Sequence, residues 1–295
     1  MNAVAGSYTE ILDAGPGAVL LASYTSDFVM PANYPLTLNA SPDVDEAWGK
    51  WTGKPIVDGT YRLGLWSDYS FTVSLFGEDN NYPNTSPAGL SEFLVGDASA
   101  LVPYDLIEEV ESCYACHDDI YFHGGHRRGV DTCIQCHGAA GGEDRPQYRA
   151  PGADETPVTM IKFREMVHKI HQGANLDKAD TYTVNGFGSP ANYPNNFSAH
   201  QYDEVVFPTF PGGTKHCQKC HVDSDSWQSP QDLSHPTSSL LPSRSWRSAC
   251  GSCHDGDAVH AHIDAQTSPS GAESCVTCHD DGSGLDVESV HNPRM

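Results

Sequence analysis

The chain has 295 residues, enough for one large domain or two ordinary ones. Hydrophobic residues make up 38% of it and aromatic residues 9%, which indicates a globular protein and excludes a largely disordered one. The 39 acidic residues outnumber the 16 basic ones, and the formal net charge of -23 disfavours nucleic acid and anionic membrane surfaces as partners. The sequence predicts neither a transmembrane helix nor a secretory signal, since no apolar run is long enough for either.

Residues 1–105 contain no cysteine and no histidine, and they predict β-structure. Tyr69–Leu75 alternates apolar residues with Ser and Thr, and Thr60–Leu65 alternates after a turn signal at Val57–Gly59. Shorter candidate strands occupy residues 18–24, 36–38 and 92–95. Several short strands separated by turns predict a β-sandwich or small barrel in this region.

All ten cysteines belong to five copies of one motif, Cys-x-x-Cys-His, which is the attachment motif of c-type haem. Two thiols add to the vinyl groups of the porphyrin, and the following histidine ligates the iron. A zinc site gives no reason for histidine to follow every second cysteine, and a disulfide framework would not confine every cysteine to this motif. The sequence therefore predicts five covalent haem c groups, attached through Cys113, Cys116, Cys133, Cys136, Cys217, Cys220, Cys250, Cys253, Cys275 and Cys278. The predicted proximal iron ligands are His117, His137, His221, His254 and His279.

Residues 106–295 are too few to build a conventional apolar core around each of five porphyrins. We therefore expect the haems to form much of the core and to lie close to one another. The predicted architecture of this pentahaem domain is short helices, many loops and little sheet.

Each iron also needs a sixth ligand, unless its position stays open. Ten histidines lie outside the motifs, twice the number that five irons require, which favours low-spin, bis-histidine haems for electron transfer. The ten are His123, His126, His168, His171, His200, His216, His235, His260, His262 and His291.

The clearest local case is the predicted helix from Met160 to His171, which follows Thr156-Pro157 and precedes Gly173. Its two histidines, His168 and His171, are three residues apart and project from the same side. They cannot bind opposite faces of one iron, so each is expected to reach a different haem. The alternative is that both face solvent on an amphipathic helix.

The other ligand predictions rest on weaker local signals. The paired glycines between His123 and His126 suit a close approach to a flat ring, so one of these two histidines is expected to ligate, and we favour His123. His260 and His262 are two residues apart, so only one is expected to face a haem, and we favour His262. His291, in the C-terminal tail, completes the set. His216 is expected to be a neighbour of a ring or a surface group, and His200 and His235 are alternatives to these choices.

These motifs resemble the OmcA/MtrC family of outer-membrane decahaem cytochromes. The resemblance is carried by the Phe93–Gly96 and Val102-Pro103 segments, the Cys113–Gly125 stretch, and Met166–Gly173 followed by three more motifs. It implies a split Greek-key β-barrel before a five-haem domain, a pair of domains that occurs twice in the family and once here. It also implies the distal ligands His123, His168, His171, His262 and His291.

The resemblance further implies a cell-surface protein that receives electrons from partner cytochromes and passes them to ferric or manganese oxides, chelated metals or flavins. The leading hypothesis is thus an electron conduit rather than an enzyme, with low potentials because of the surplus acid. The alternatives are a multihaem reductase with one open iron and a subunit of a haem-lined filament or other homo-oligomer. Covalent haem attachment goes with export, so the periplasm is the alternative location.

Overall fold

The computed structural model describes residues 7–11, 21–25, 30–33, 53–102, 111–137, 147–148, 159–185, 199–208, 213–221, 245–269 and 272–291. The chain divides into two compact units, Met1–Ile56 and Val57–Met295. The predicted domain boundary after residue 105 lies in the stretch 103–110, outside the described residues.

The first unit contains an antiparallel pair of strands, β1 (Ser7–Ile11) and β2 (Leu21–Thr25). Ser7 lies opposite Thr25, and Ile11 lies opposite Leu21. The strand predicted at 18–24 is therefore shifted towards the C-terminus, and its partner β1 was not predicted. The candidate strand at 36–38 lies outside the described residues.

The second unit begins with four strands, β3 (Gly59–Leu65), β4 (Asp68–Leu75), β5 (Glu78–Thr85) and β6 (Gly89–Val95). The hairpin of β4 and β5 is inserted between β3 and β6, which pair antiparallel with each other. The strands predicted at 60–65, 69–75 and 92–95 are confirmed. Within the described residues every sheet is two-stranded and no closed barrel is formed.

Strand β5 has no strand signal in its sequence, which is polar and contains a proline. It is held by its pairing with β4, in which Asp68 lies opposite Thr85 and Leu75 lies opposite Glu78. The two turn residues, Phe76 and Gly77, have φ angles of 56° and 84°. A two-residue turn with positive φ at both positions matches the twist of an antiparallel pair, so the turn sets the register.

The other described elements of the second unit are short helices and short strands, as the sequence predicts. The helices are α1 (Glu111–Tyr114), α2 (Val130–His137), α3 (Phe163–Gln172), α4 (Ser245–Cys253), α5 (Asp257–Ala265), α6 (Val276–His279) and α7 (Val287–His291). The strands form three short pairs: β7 (Tyr121–Phe122) with β8 (Arg127–Arg128), β9 (Gln147–Tyr148) with β10 (Thr159–Met160), and β11 (Thr183–Asn185) with β12 (Ala199–Gln201). No helix in the described part of the chain is long and apolar enough to cross a bilayer.

Helix α3 starts at Phe163, three residues later than the sequence predicts. The reason is that Thr159 and Met160 pair with β9, and the Thr159 hydroxyl donates to the Thr183 carbonyl at 2.6 Å. The helix ends as predicted at Gly173, which has a φ of 44°. A side chain here would also collide with a neighbouring loop, since a Cβ would lie 2.4 Å from the Val205 carbonyl oxygen.

Few large apolar side chains are buried among the described residues: Val130, Ile134, Leu176, Tyr182, Trp246 and Ile263. Carboxylates join the short elements instead. Glu273 lies two residues before the fifth motif and accepts backbone N–H bonds from Trp246 at 3.1 Å and Arg247 at 2.8 Å. It thereby caps α4, the helix that carries Cys250 and Cys253.

The β3–β6 region packs against α2 and β8. The Ala88 N–H donates to the Thr132 hydroxyl at 3.2 Å, and the Arg127 guanidinium lies over the Trp66 ring at 4.7 Å from its centre. The strands are thus attached to the segment that carries the second motif.

We predict that Gly173→Ala lowers the free energy of unfolding more than Gly129→Ala does. Both glycines have positive φ, but a Cβ on Gly129 meets nothing within 4 Å. Gly129→Ala carries backbone strain alone, about 1–2 kcal/mol. Gly173→Ala adds steric overlap, so it is expected to exceed its control by about 1–3 kcal/mol in denaturant titration. Equal losses would contradict the packing of α3 against the Val205 loop.

We predict that Glu273→Ala lowers the free energy of unfolding by about 1–2 kcal/mol, because it removes the acceptor for two backbone N–H groups of α4. Glu273→Gln retains one carbonyl oxygen and is expected to lose less. Thermal unfolding followed by circular dichroism compares the two variants. A Gln variant as unstable as the Ala variant would show that the cap is not the cause.

Candidate haem-binding sites

Each of the five motifs forms a single tight turn. In four of them the backbone N–H of the histidine donates to the carbonyl of the first cysteine, at 2.8 to 3.0 Å. The second motif, Cys133–His137, is the last part of helix α2. One helical turn brings residues i, i+3 and i+4 to the same side, so both sulfurs and the imidazole of a motif can face one group. None of the ten cysteines forms a disulfide.

Each motif histidine lies beside one histidine from outside the motifs. The separations of the ring centres are all close to 6 Å. We number the sites by motif: first, His117 with His171 at 6.0 Å; second, His137 with His123 at 6.1 Å; third, His221 with His168 at 6.1 Å; fourth, His254 with His291 at 5.9 Å; fifth, His279 with His262 at 6.4 Å. The structure therefore brings together the ten histidines that the sequence proposed as ligands.

Helix α3 supplies histidines to two sites. His168 reaches the third motif and His171 the first, because residues three apart project from the same side of a helix but one turn apart along it. Helix α3 therefore joins the first and third sites as a rigid element.

Backbone carbonyls orient four of the ten rings. The Nδ1 atoms of His137, His171, His279 and His291 lie 2.8 to 3.0 Å from carbonyl oxygens of Ile161, Val167, Leu285 and Val287. A carbonyl can only accept, so Nδ1 carries the proton and Nε2 keeps its lone pair. This is the tautomer in which a histidine binds a metal through Nε2.

Burial keeps some of the ten paired histidines in the neutral form. Burial, together with the neighbouring His221, lowers the pKa of His168 to about 4. Burial also lowers the pKa of His137. Since only the neutral imidazole has a free lone pair, both are in the ligating form at neutral pH.

The other described histidines have different neighbours. His126 is 3.5 Å from the Asp68 carboxylate, and His200 lies opposite Val184 in the β11–β12 pair. The buried ring atoms His216 Nδ1 and His260 Nε2 have no hydrogen-bond partner within the described structure. His235 lies outside the described residues.

The first, third, fourth and fifth motifs are neighbours in that order. The Cys220 thiol interacts electrostatically with Cys113 of the first motif, and Cys250 interacts with Cys217 of the third and Cys275 of the fifth. A side-chain contact agrees that the third and fourth sites are neighbours. Gln218, in the third motif, donates through Nε2 to Glu288 at 3.0 Å, and Glu288 lies on α7, the helix that carries His291 of the fourth site. The second site adjoins the start of α3 through the bond from His137 to the Ile161 carbonyl.

Sequence reasoning missed one buried group beside these sites, the Asp255 carboxylate. It accepts N–H bonds from Asp177 at 2.8 Å and Lys178 at 3.3 Å, and Lys169 Nζ lies 3.6 Å away. The available signal was an acidic residue directly after a motif, which also occurs at Asp118 and Asp280. That signal does not reveal a partner many residues distant in sequence.

Comparison with protein families gives a match over more than half of the chain. The family described as outer membrane cytochrome MtrC/MtrF-like, domains II/IV, matches residues 106–292. The chain belongs to this family. The resemblance to OmcA/MtrC cytochromes is thereby confirmed, and with it the location at the outer membrane, on the cell surface. Comparison with curated proteins gave no match.

The family assignment has a direct chemical meaning for the site. MtrC/MtrF-like proteins are multihaem cytochromes that take part in electron transfer, so the group implied at the Cys-x-x-Cys-His motifs is haem c. The matched residues include all five motifs and all five histidine pairs.

Proposed function

We propose that the chain carries five haem c groups, one at each motif, and conducts electrons through them. The observation that carries this proposal is the spacing of the five histidine pairs. An imidazole nitrogen binds a transition metal at about 2.0–2.1 Å, and its ring centre lies roughly 1 Å further away. Two rings on opposite sides of one iron are therefore about 6 Å apart, and the observed separations are 5.9 to 6.4 Å.

In this proposal the two cysteines of each motif would attach the haem, and both paired histidines would ligate its iron. His117, His137, His221, His254 and His279 are the proximal ligands, and His171, His123, His168, His291 and His262 are their respective distal partners. A bis-histidine haem supplies one-electron chemistry with both ligands retained.

The chain's own residues hold and orient these ligands. In four of the ten rings, the carbonyl that accepts from Nδ1 sets the plane of the imidazole and strengthens its Nε2 as a metal ligand. With two histidines as ligands, each iron would have no position free for a substrate. This supports an electron carrier and argues against a multihaem reductase.

The sparse apolar core supports the same conclusion. The buried apolar side chains in the described residues lie on short segments around the motifs, such as Ile134 on α2 and Ile263 on α5. Five porphyrins between these segments would supply the apolar area that the side chains lack.

We further propose a path that runs from the second site through the first, third and fourth sites to the fifth. Helix α3 links the first and third sites, the neighbouring thiols of Cys217 and Cys250 link the third and fourth, and Glu273 links the fourth and fifth. The second site lies at the β3–β6 region, at the opposite end of this order from the fifth.

The fifth site is our candidate for exchange with outside partners. Val276 and Leu285 around it are 46% and 55% exposed, and Asp280 and Asp281 are exposed beside them.

We propose partner cytochromes as donors, and ferric or manganese oxides, chelated metals or flavins as acceptors. We also propose that residues 1–105 form a β domain, a split Greek-key barrel or sandwich, and that residues 106–295 form the pentahaem domain.

We predict that the purified cytochrome contains five haems per chain, all low-spin in electron paramagnetic resonance, and that its reduced form binds no carbon monoxide. The physical reason is that two histidines would ligate every iron and leave no position free for carbon monoxide. Haem content from the pyridine haemochrome assay and the carbon monoxide difference spectrum check both parts. A high-spin haem that binds carbon monoxide would contradict the closed arrangement and favour a reductase.

We predict that His168→Ala opens one haem, which becomes able to bind one equivalent of carbon monoxide per chain. His168→Met retains a ligand and is expected to raise the potential of that haem. His126→Gln is the matched control, since His126 contacts Asp68 and is not proposed as a ligand. Carbon monoxide binding by the control, or none by His168→Ala, would refute the assignment of His168.

A further inference from the structure

A buried ion pair lies at the junction of the third and fourth sites. Lys169 directly follows His168 of the third site, and Asp255 directly follows His254 of the fourth. Their charged atoms are 3.6 Å apart, and the Asp255 side chain is only 4% exposed. The pair therefore connects helix α3 with the end of the fourth motif.

The surrounding groups fix both charges in place. Backbone N–H groups of Asp177 and Lys178 donate to one oxygen of Asp255, and Lys169 Nζ faces the other. On its other side Lys169 lies over the Tyr182 ring, 5.3 Å from its centre. Charges held in this way, with little water around them, act on nearby groups more strongly than charges in solvent.

Both charges lie beside the fourth motif. Asp255 directly follows the last residue of that motif, and the 3.6 Å ion pair holds the Lys169 ammonium at the same place. The two residues thus place opposite charges next to the fourth motif.

We propose that the Lys169–Asp255 ion pair sets the reduction potentials of the third and fourth haems, with each charge offsetting the other. The inference rests on the proposed pentahaem function. Each reduction adds one electron from an electrode to one haem, and no bond forms or breaks. A nearby negative charge opposes the added electron and lowers the potential, whereas a positive charge raises it. Lys169 and Asp255 act through the haem ligands beside them, so they are positioning residues rather than catalytic ones.

The test is a spectroelectrochemical titration of the holoprotein and its variants. Asp255→Asn is expected to raise the potentials of two of the five haems, and Lys169→Met is expected to lower them. We expect each to change the one-electron equilibrium constant roughly tenfold, which is about 59 mV. The double variant is expected to return close to the wild-type titration, because it removes both charges.

The chain offers a matched control close by. Lys178 and Asp257 also form an ion pair, but their side chains are 48% and 91% exposed. Lys178→Met and Asp257→Asn make the same charge changes in solvent, where screening weakens them. They are expected to shift the titration much less than the buried pair does.

Three outcomes would overturn the inference. These are shifts of the same sign in both single variants, no shift in either, or equal shifts in the exposed controls. A merely structural role would give the first or second of these, since loss of either partner damages the fold alike. If Asp255→Asn alone does not fold, two variants still test the inference. Lys169→Met is expected to lower the potentials of two haems, and the double variant is expected to reverse that fall. A wild-type protein without five low-spin haems would refute the proposed function itself, and this is seen before any variant is titrated.

Discussion

The facing of two imidazole rings about 6 Å apart, repeated five times, is the constraint on which the rest of the structure depends. A pair of this kind needs two segments of chain held at a set distance, and one of them must carry a Cys-x-x-Cys-His turn. The short helices α3, α5 and α7 provide the second segment. Helix α3 carries His168 and His171, α5 carries His262 and α7 carries His291, and each of these rings lies about 6 Å from a motif histidine. The elements are short because each has to position one or two ligands rather than extend an apolar face.

A fold built from such short pieces needs contacts other than an apolar core. Backbone N–H groups at the ends of helices and turns are strong donors, and buried carboxylates satisfy them from distant parts of the chain. Glu273 does this for α4, and Asp255 does it for the turn at Asp177 and Lys178. Asp286 accepts from the N–H groups of Gly282 and Glu288 beside the fifth motif. Some of the surplus acidic residues therefore have structural roles next to the sites.

The same carboxylates have an electrostatic consequence for a cytochrome. A negative charge close to a haem stabilises its oxidised form, so in the proposed arrangement a structural carboxylate beside a motif would also influence a potential. The ion pair of Asp255 with Lys169 couples the two roles, because it joins α3 to the fourth motif and places opposite charges between two sites. At the other end of the proposed path, the second motif lies against the β3–β6 region through Thr132 and Arg127.

The sequence by itself determined the features that depend on local spacing. Five Cys-x-x-Cys-His motifs, the three-residue spacing of His168 and His171, the alternation in β3 and β4 and the end of α3 at Gly173 are all legible from neighbouring residues. Only the tertiary structure decided which histidine faces which motif, because partners such as His254 and His291 are brought together by long-range packing. It also decided strand β5, which owes its conformation to β4 rather than to its own polar sequence, and the late start of α3, where pairing with β9 prevails. The Asp255–Lys169 pair could not be predicted for the same reason, because the sequence does not show which distant charges the folded chain brings together.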